Sequence, residues 1–478
     1  MPRATSVPKS WASSGVDVHL NLDLATRPRQ GLEESLREAI RGGRLPVGTR
    51  LPSSRALAAD LGLARGTVVE AYAQLTAEGW LAPRPRSGTV VACAIQPSTP
   101  SRSTPSRVDD TPSLDLRPGD CDLGTFPRTA WAAASRRALA RAPHHAFGYG
   151  DPRGWIELRQ ELSAYLGRTR GVRSGPDHIV ITTGSTQGLG LTARVLAATG
   201  ARRLAMENPC LPYHRDIARA CGLQVVPITV DADGIDVAAM RGRLRDIRAV
   251  LVTPARQFPL GVCLSPRRRM ELLAWARDRD GYVVEDDYDG EFRYDRQPVG
   301  AVQGLDPDRV VYAGTTSKTL APGVRLGWLA VPDRLLDTVV AEKHLADGQT
   351  TTLTQITMTE LLRSGGYDRH IRRMRLHYRR RRDVLLRELA RVAPHVRVDG
   401  IAAGFSVALT LPDGWDEQGI LARAAARGLA LHAMNADGYD ADGARTRPAR
   451  LVVSYATPRE HSYPSAVAAL VETLASQN

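Results

Sequence analysis

The chain has 478 residues, more than one domain's usual share of about 100–200, and its 43% hydrophobic and 24% charged content excludes wholesale disorder. No uncharged apolar run approaches the roughly 18 residues of a spanning helix, and Met1 to Trp11 lacks the apolar centre of a secretory signal. The net charge of +13 points to an anionic partner such as nucleic acid, and its make-up is lopsided: of 64 basic residues only Lys9, Lys318 and Lys343 are lysines. That bias fits a GC-rich genome and singles out each lysine that survives it. The five cysteines are scattered and form neither a disulfide framework nor a metal knuckle, so a cytoplasmic setting is expected.

Three stretches follow in chain order. Residues 28–92 read as short helices followed by a strand pair. Residues 93–112 are rich in Pro, Ser and Thr, which is linker composition. From 113 to 478, short β-branched runs alternate with amphipathic segments: 178–183, 203–207, 249–253, 281–285 and 310–314. Such strands, each running into Gly, Pro, Asn or Asp, predict a mostly parallel sheet covered on both faces, with a smaller lobe over about 370–478.

In the first stretch, Leu57, Ala58 and Leu61 recur at helical spacing, Gly62 supplies a turn, and Val68, Tyr72 and Leu75 mark a second helix. Ala58, Gly62 and Val68 have the spacing of a helix-turn-helix, in which a small residue, a turn glycine and a branched plug let two helices close. The second helix starts near Arg65, placing Arg65 and Thr67 where base edges and phosphates are reached. A strand, a basic turn and a strand follow in Gly79–Val91, a wing with Arg84 and Arg86. The strings G-R-L-P-V-G-T-R-L-P-S-S-R (43–55), A-R-G-T-V-V (64–69) and R-S-G-T-V-V (86–91) closely resemble the winged helix of GntR-type transcription regulators. The resemblance implies DNA contacts at Arg55, Arg65, Thr67, Arg84, Arg86 and Gly88.

In the third stretch, T-T-S-K-T-L-A-P-G-V-R (315–325) follows a strand and contains one of the three lysines. An amine beside hydroxyls, with an arginine seven residues on, suits an aldehyde cofactor that carries a phosphate: Lys318 for the Schiff base; Thr315, Ser317 and Arg325 for the phosphate. T-T-G-S-T-Q-G (182–188) can present backbone amides at a helix N-terminus to the same phosphate. V-E-D-D-Y-D-G-E-F (284–292) ends a strand with an acid cluster and a phenol. F-G-Y-G-D-P-R-G-W (147–155) adds Tyr149, and taken singly these three segments are better read as a plain glycine turn, an acidic surface loop and a core tyrosine; their joint order is what favours the cofactor.

Together these segments resemble the fold-type I aminotransferase scaffold, which binds pyridoxal 5′-phosphate (PLP). With the winged helix in front, the whole chain outside the linker and termini resembles the MocR/GabR branch of the GntR regulators, in particular its PdxR-type members. The fold implied is multidomain, a winged helix-turn-helix plus an α/β aminotransferase-like domain with a small C-terminal lobe. Carried over residue by residue, Lys318 is the Schiff-base lysine, Asp286 the pyridinium partner with Asp287 as the alternative, and Tyr288 the partner of the ring oxygen. Ser185, Thr186, Thr315, Ser317 and Arg325 then hold the phosphate, and Tyr149 reaches a neighbouring subunit's cofactor.

Two positions depart from the family. Leu211 stands where an aromatic normally stacks on the ring, a loss of about 0.5–1.5 kcal/mol. Arg256 stands where histidine is usual, and a guanidinium there suits an anion instead. Either the cofactor site is intact despite these changes, or the pocket takes a different, acidic ligand. For an effector carboxylate, Arg445, Arg447 and Arg450 are the candidates, Arg450 first because it immediately precedes an apolar run. The eleven histidines show no metal-ligand spacing, so no metal is expected.

Charge is not concentrated in the winged helix. Residues 1–92 hold 12 basic and 8 acidic side chains, whereas 363–388 hold ten arginines and three acids. The latter is read either as a solvated helix face or as a second DNA-facing or head-docking surface. The expected function is a dimeric DNA-binding regulator whose aminotransferase-like domain senses PLP or an amino acid. It would control genes of vitamin B6 or amino-acid metabolism. The competing class is a working PLP-dependent aminotransferase with an accessory DNA-binding head.

Overall fold

The computed structural model describes residues 28–84, 88–92, 113–242, 246–295, 299–441 and 448–475. The chain divides into two compact units, Met1–Asp110 and Thr111–Asn478.

The first unit packs α1 (Pro28–Arg41), α2 (Ser54–Leu61) and α3 (Arg65–Ala77) against a hairpin of β1 (Leu81–Arg84) and β2 (Gly88–Val91). Leu32, Leu36, Ala39 and Ile40 form the buried stripe of α1 and meet Leu57, Ala58, Val68, Ala71 and Leu75. Ser53 caps α2, its Oγ accepting the Ala56 N–H at 3.2 Å. Gly62 ends the helix with φ 66°, a left-handed conformation that costs an L residue about 1–2 kcal/mol, and α3 starts three residues later. The expected helix-turn-helix is thus present, closed by Tyr72 Oη donating to the Pro52 carbonyl at 3.1 Å.

The second unit is built on an eight-stranded sheet. Its elements are β3 (Leu114–Asp115), α4 (Arg128–Arg141), α5 (Ile156–Arg170), β4 (Ile179–Thr182), α6 (Ser185–Ala198), β5 (Arg203–Asn208), α7 (Pro212–Ala220), β6 (Gln224–Asp231), β7 (Gly234–Ile235), α8 (Val237–Gly242), β8 (Ala249–Val252), α9 (Pro266–Asp278), β9 (Tyr282–Asp287), β10 (Val310–Thr315), β11 (Gly327–Ala330), α10 (Asp333–Asp347) and α11 (Thr352–Arg363). The strand order is β4-β11-β10-β9-β8-β5-β6-β7, and the central ladder from β10 to β6 is parallel. β11 runs antiparallel between β10 and β4, so β4 points the same way as β10. β4, β8 and β10 are buried at every residue, the near-continuous apolar signature of a doubly covered sheet. The carboxyl ends of β4, β5, β8, β9 and β10 therefore share one edge, where open α/β sheets place their ligands.

A 27-residue helix, α12 (Gly366–Val392), leads into β12 (Arg397–Asp399), β13 (Ser406–Thr410), α13 (Glu417–Ala426), β14 (Leu429–Ala430), β15 (His432–Ala433), β16 (Arg450–Ser454) and α14 (Tyr463–Ala475). These form an antiparallel sheet in the order β12-β13-β16-β15, while β14 pairs with β3. Among the described residues no helix is long and apolar enough to cross a membrane.

Gly314 on β10 lies opposite Trp328 on β11, and a Cβ at Gly314 would overlap the buried indole. Gly314→Ala should therefore destabilise the second unit by about 1–3 kcal/mol, read as a lowered thermal midpoint, with the first unit's transition unchanged.

Candidate functional site

A cavity of about 280 Å³ opens at the carboxyl edge of the sheet. Its wall gathers Ser185 and Thr186 after β4, Asp286 and Tyr288 at the end of β9, Thr315 as the last residue of β10, and Ser317, Lys318 and Arg325 beyond it. Eight of the predicted cofactor residues, far apart in sequence, thus face one space.

The end of β9 settles which carboxylate faces the cavity. Successive strand residues point to opposite sides. Asp287 Oδ2 takes the Arg170 Nε–H at 2.7 Å and the Tyr312 hydroxyl at 2.8 Å, on the side away from the cavity. Asp286 lines the cavity, and its buried Oδ1 has no hydrogen-bond partner. Burial, then the charges of Asp287 and Asp289, push the Asp286 carboxyl up to about 7, with Lys318 opposing. Burial lowers the Lys318 amine below the usual lysine range, leaving more of the neutral, nucleophilic form. The amine is held against the Gly119 carbonyl.

The phosphate cup forms from two loops. Gly184, at φ 85°, precedes α6, so the first-turn amides of Ser185 and Thr186 are exposed to the cavity. A Cβ at Gly184 would sit 3.3 Å from the Arg325 guanidinium, which donates to the Thr183 carbonyl at 2.7 Å. Arg325 itself has φ 52°, one of two such non-glycine residues among those described, and costs of order 1–3 kcal/mol persist mainly at functional sites. Thr315 Oγ1 and Ser317 Oγ are 3.0 Å apart.

PLP fits these residues: an orphaned buried carboxyl for a ring N–H⁺, an amine for its aldehyde, and a glycine-opened helix terminus with Arg325 for its phosphate. Tyr288 lines the cavity, with its hydroxyl accepting from Arg256 Nη1 at 3.1 Å.

Three predicted residues stand elsewhere. Arg256 does not line the cavity: 3% exposed, it pairs with Asp289 at 3.4 Å and with the Ser406 carbonyl, so its charge is already answered and it positions Tyr288. Arg450 lines a separate cavity with Arg397 and Asp399, its Nε donating to Thr410 Oγ1 at 3.0 Å, because it stands at the opposite end of β16 from Ser454, which lines the first cavity. Tyr149 is fully exposed and outside the cavity. Arg445 and Arg447 lie outside the described residues, as does Arg86 of the wing.

Several wall residues had no motif to announce them. His214, in the first turn of α7, places Nε2 3.8 Å from Asp286 Oδ2, and burial, then Lys318, lowers its pKa to about 4, so it is neutral near pH 7. Its signal was its position, three residues after Leu211 at the same strand end. Leu211 lines the cavity as expected, and Phe258 adds an aromatic ring from the next loop, edge-on to Tyr288 with centroids 6.1 Å apart. Glu207 accepts from Thr253 Oγ1 at 2.6 Å. His377 approaches Asp122 and Glu460 at 3.7 and 3.5 Å, but Arg381 already bonds both carboxylates.

In the first unit, Arg55, Arg65, Arg84 and Gly88 are exposed and Thr67 half-buried. Arg29, Arg37 and Arg41 are paired with Glu33, Glu34, Glu70 or Glu78, whereas Arg55, Arg65 and Arg84 make no ion pair among the described residues. α3 has no side-chain cap, which leaves its N-terminal amides beside Arg65 open to phosphate.

The gntR family of bacterial regulatory proteins matches residues 28–91, and the class I and II aminotransferases match 111–412. The HTH-type transcriptional regulator YdeL of Bacillus subtilis is 33% identical over 425 residues, 86% of this chain and 90% of that protein. The HTH-type pyridoxine biosynthesis transcriptional regulator PdxR of Corynebacterium glutamicum is 33% identical over 407 residues, 84% of this chain and 87% of its own length. Among solved structures, Pyrococcus horikoshii kynurenine aminotransferase, crystallised with PMP, superposes with a TM-score of 0.69 at 27% identity, covering 76% of this chain and 91% of that one.

The Asp286 carboxyl, raised to about 7 against an unfolded value near 3.9, takes up a proton on folding between those limits, so its burial costs stability as pH rises through them. Asp286→Asn should make the cofactor-free protein more stable than wild type by ~2–4 kcal/mol near pH 8, with the gain fading toward pH 4, as measured by denaturant unfolding.

Proposed function

The chain belongs to the MocR-type GntR regulators, a winged helix joined to a class I and II aminotransferase domain, and from that premise we propose that PLP bound at Lys318 is itself the signal that sets DNA affinity. The observation that carries the reading is Asp286 in Lys318's cavity, where its buried Oδ1 has no hydrogen-bond partner and a protonated ring nitrogen would supply one. PLP supplies an aldehyde for the amine and a ring cation for the carboxylate. Lys318 binds it, Asp286 holds the ring proton, and neutral His214 beside Asp286 adds no competing charge. Ser185, Thr186, Thr315, Ser317 and Arg325 take the phosphate, and Arg256 holds the Tyr288 hydroxyl toward the ring oxygen.

The small-lobe side of the cavity supports PLP over an amino acid as the effector. It consists of Phe405, Ser406 and Ser454, with no arginine among the described residues to meet a carboxylate. The likeness to PdxR, whose name refers to pyridoxine biosynthesis, points to vitamin B6 genes as the regulated set. The fully exposed Tyr149, beside Phe147 at 60% exposure, supports a homodimer in which that segment reaches the partner's cofactor. PLP changes DNA affinity only if it favours one arrangement of the dimer over another.

A working aminotransferase is the second reading, favoured by the presence of Lys318, Asp286 and His214 in one cavity. Absorbance spectra with added PLP separate the possibilities. Wild type should show a band near the visible edge that Lys318→Ala lacks, without multiple-turnover conversion of amino and keto acids. No band in wild type contradicts the PLP reading; rapid turnover favours the enzyme. In parallel, Arg65→Ala should weaken DNA binding by about tenfold or more and leave the band intact.

A further inference from the structure

The densest basic segment of the chain lies on α12. Arg369, Arg372, Arg379, Arg380 and Arg387 are all exposed, and on a helix of 3.6 residues per turn they fall on one face with Arg373 and Leu376. None of the five makes an ion pair among the described residues. The acids of the helix do not neutralise them: Asp368 pairs with Arg168 at 3.0 Å and Glu388 with Arg391 at 2.7 Å, which leaves Asp383 as the one acid on the stripe. Arg381, one residue on from Arg380 and buried, is by contrast bonded to Asp122 at 2.8 Å. A helix face that concentrates like charge without answering it pays a repulsion that a polyanion would relieve.

We infer that the exposed face of α12 is a second DNA-binding surface that contacts duplex phosphates without reading bases. From Arg369 to Arg387 the stripe runs about 27 Å, the axial length of about eight base pairs. Guanidinium forks match phosphate oxygens in bidentate geometry, and long side chains on a helix can follow a strand without fixed register. The inference rests on the chain's being a DNA-binding regulator; the winged helix supplies the sequence reading and α12 adds sequence-independent affinity. The opposite face of the same helix fixes the lysine loop, with Tyr367 Oη donating to Thr319 Oγ1 and His370 Nε2 meeting the Thr319 carbonyl, each at 2.8 Å.

The test uses the full chain and a mixed-sequence duplex of about 40 base pairs, with affinity measured across a salt series. Replacing Arg372, Arg379 and Arg380 together by alanine should lower the slope of log K against log salt by about 2–3 and weaken binding roughly tenfold or more at low salt. The corresponding triple lysine variant should keep the slope, because the charge is retained. Arg65→Ala, with the stripe intact, serves as the winged-helix control. The inference is overturned if the alanine triple variant binds with unchanged affinity and slope while wild type binds, which leaves the regulator reading standing. It is equally overturned if only the monomer–dimer equilibrium shifts, which would assign the stripe to an acidic face of a second copy. Failure of wild type to bind any duplex removes both.

Discussion

The buried ion pair between Arg170 and Asp287 governs the rest of the site. Both side chains are 1% exposed, and the pair is completed by the Tyr312 hydroxyl and by the Gly290 and Val299 carbonyls on Arg170. Removing one partner from such a pair costs about 3–5 kcal/mol, since the other charge stays buried. With Asp287 locked to one side of β9, strand alternation sends Asp286 to the other, into the cavity, where its Oδ1 has no hydrogen-bond partner. Neighbouring acids then accumulate: Asp289, Glu285 and Glu291 are buried close by, and burial raises each carboxyl to about 6 or 7. The cavity therefore favours a ligand that brings a proton on a ring nitrogen, and the same acids make it a poor host for an anion at that end.

A second arginine pair does comparable work on the opposite wall. Arg256 binds Asp289, the Ser406 carbonyl and the Tyr288 hydroxyl, so it joins the end of β9 to the small lobe. The lobe is also joined through α12, whose Tyr378 hydroxyl accepts the Asp122 N–H at 3.3 Å, close to the Gly119 carbonyl that holds Lys318. These contacts join the cavity wall to the lobe and to α12, and the proposed link between ligand and DNA rests on them.

The fold was legible wherever local pattern and long-range packing agree. The glycine turn and apolar spacing of the first unit needed no tertiary information. The five β-branched runs became β4, β5, β8, β9 and β10 because a doubly covered sheet demands continuous apolar residues. The antiparallel β11 was not legible, since four buried residues carry no direction. In the site, hydroxyls, glycine and lysine at strand ends carried their chemistry in their order. The surroundings of Arg256 and Arg450 were not legible because charge type says nothing about which partner is nearer: Asp289 answers one, while Thr410 and Asp399 lie beside the other. His214 and Arg170 were silent because a lone histidine or arginine has no spacing to read, and only the sheet brings them to Asp286 and Asp287.

The central claim is a coupling between Lys318's cavity and the DNA-binding surfaces, and reciprocal linkage tests it most directly. DNA affinity is measured at fixed salt with and without saturating PLP, and PLP affinity with and without saturating DNA. Coupling predicts the same fold-change in both titrations, and Lys318→Ala should abolish it. Identical DNA affinity in the presence and absence of bound PLP would contradict it.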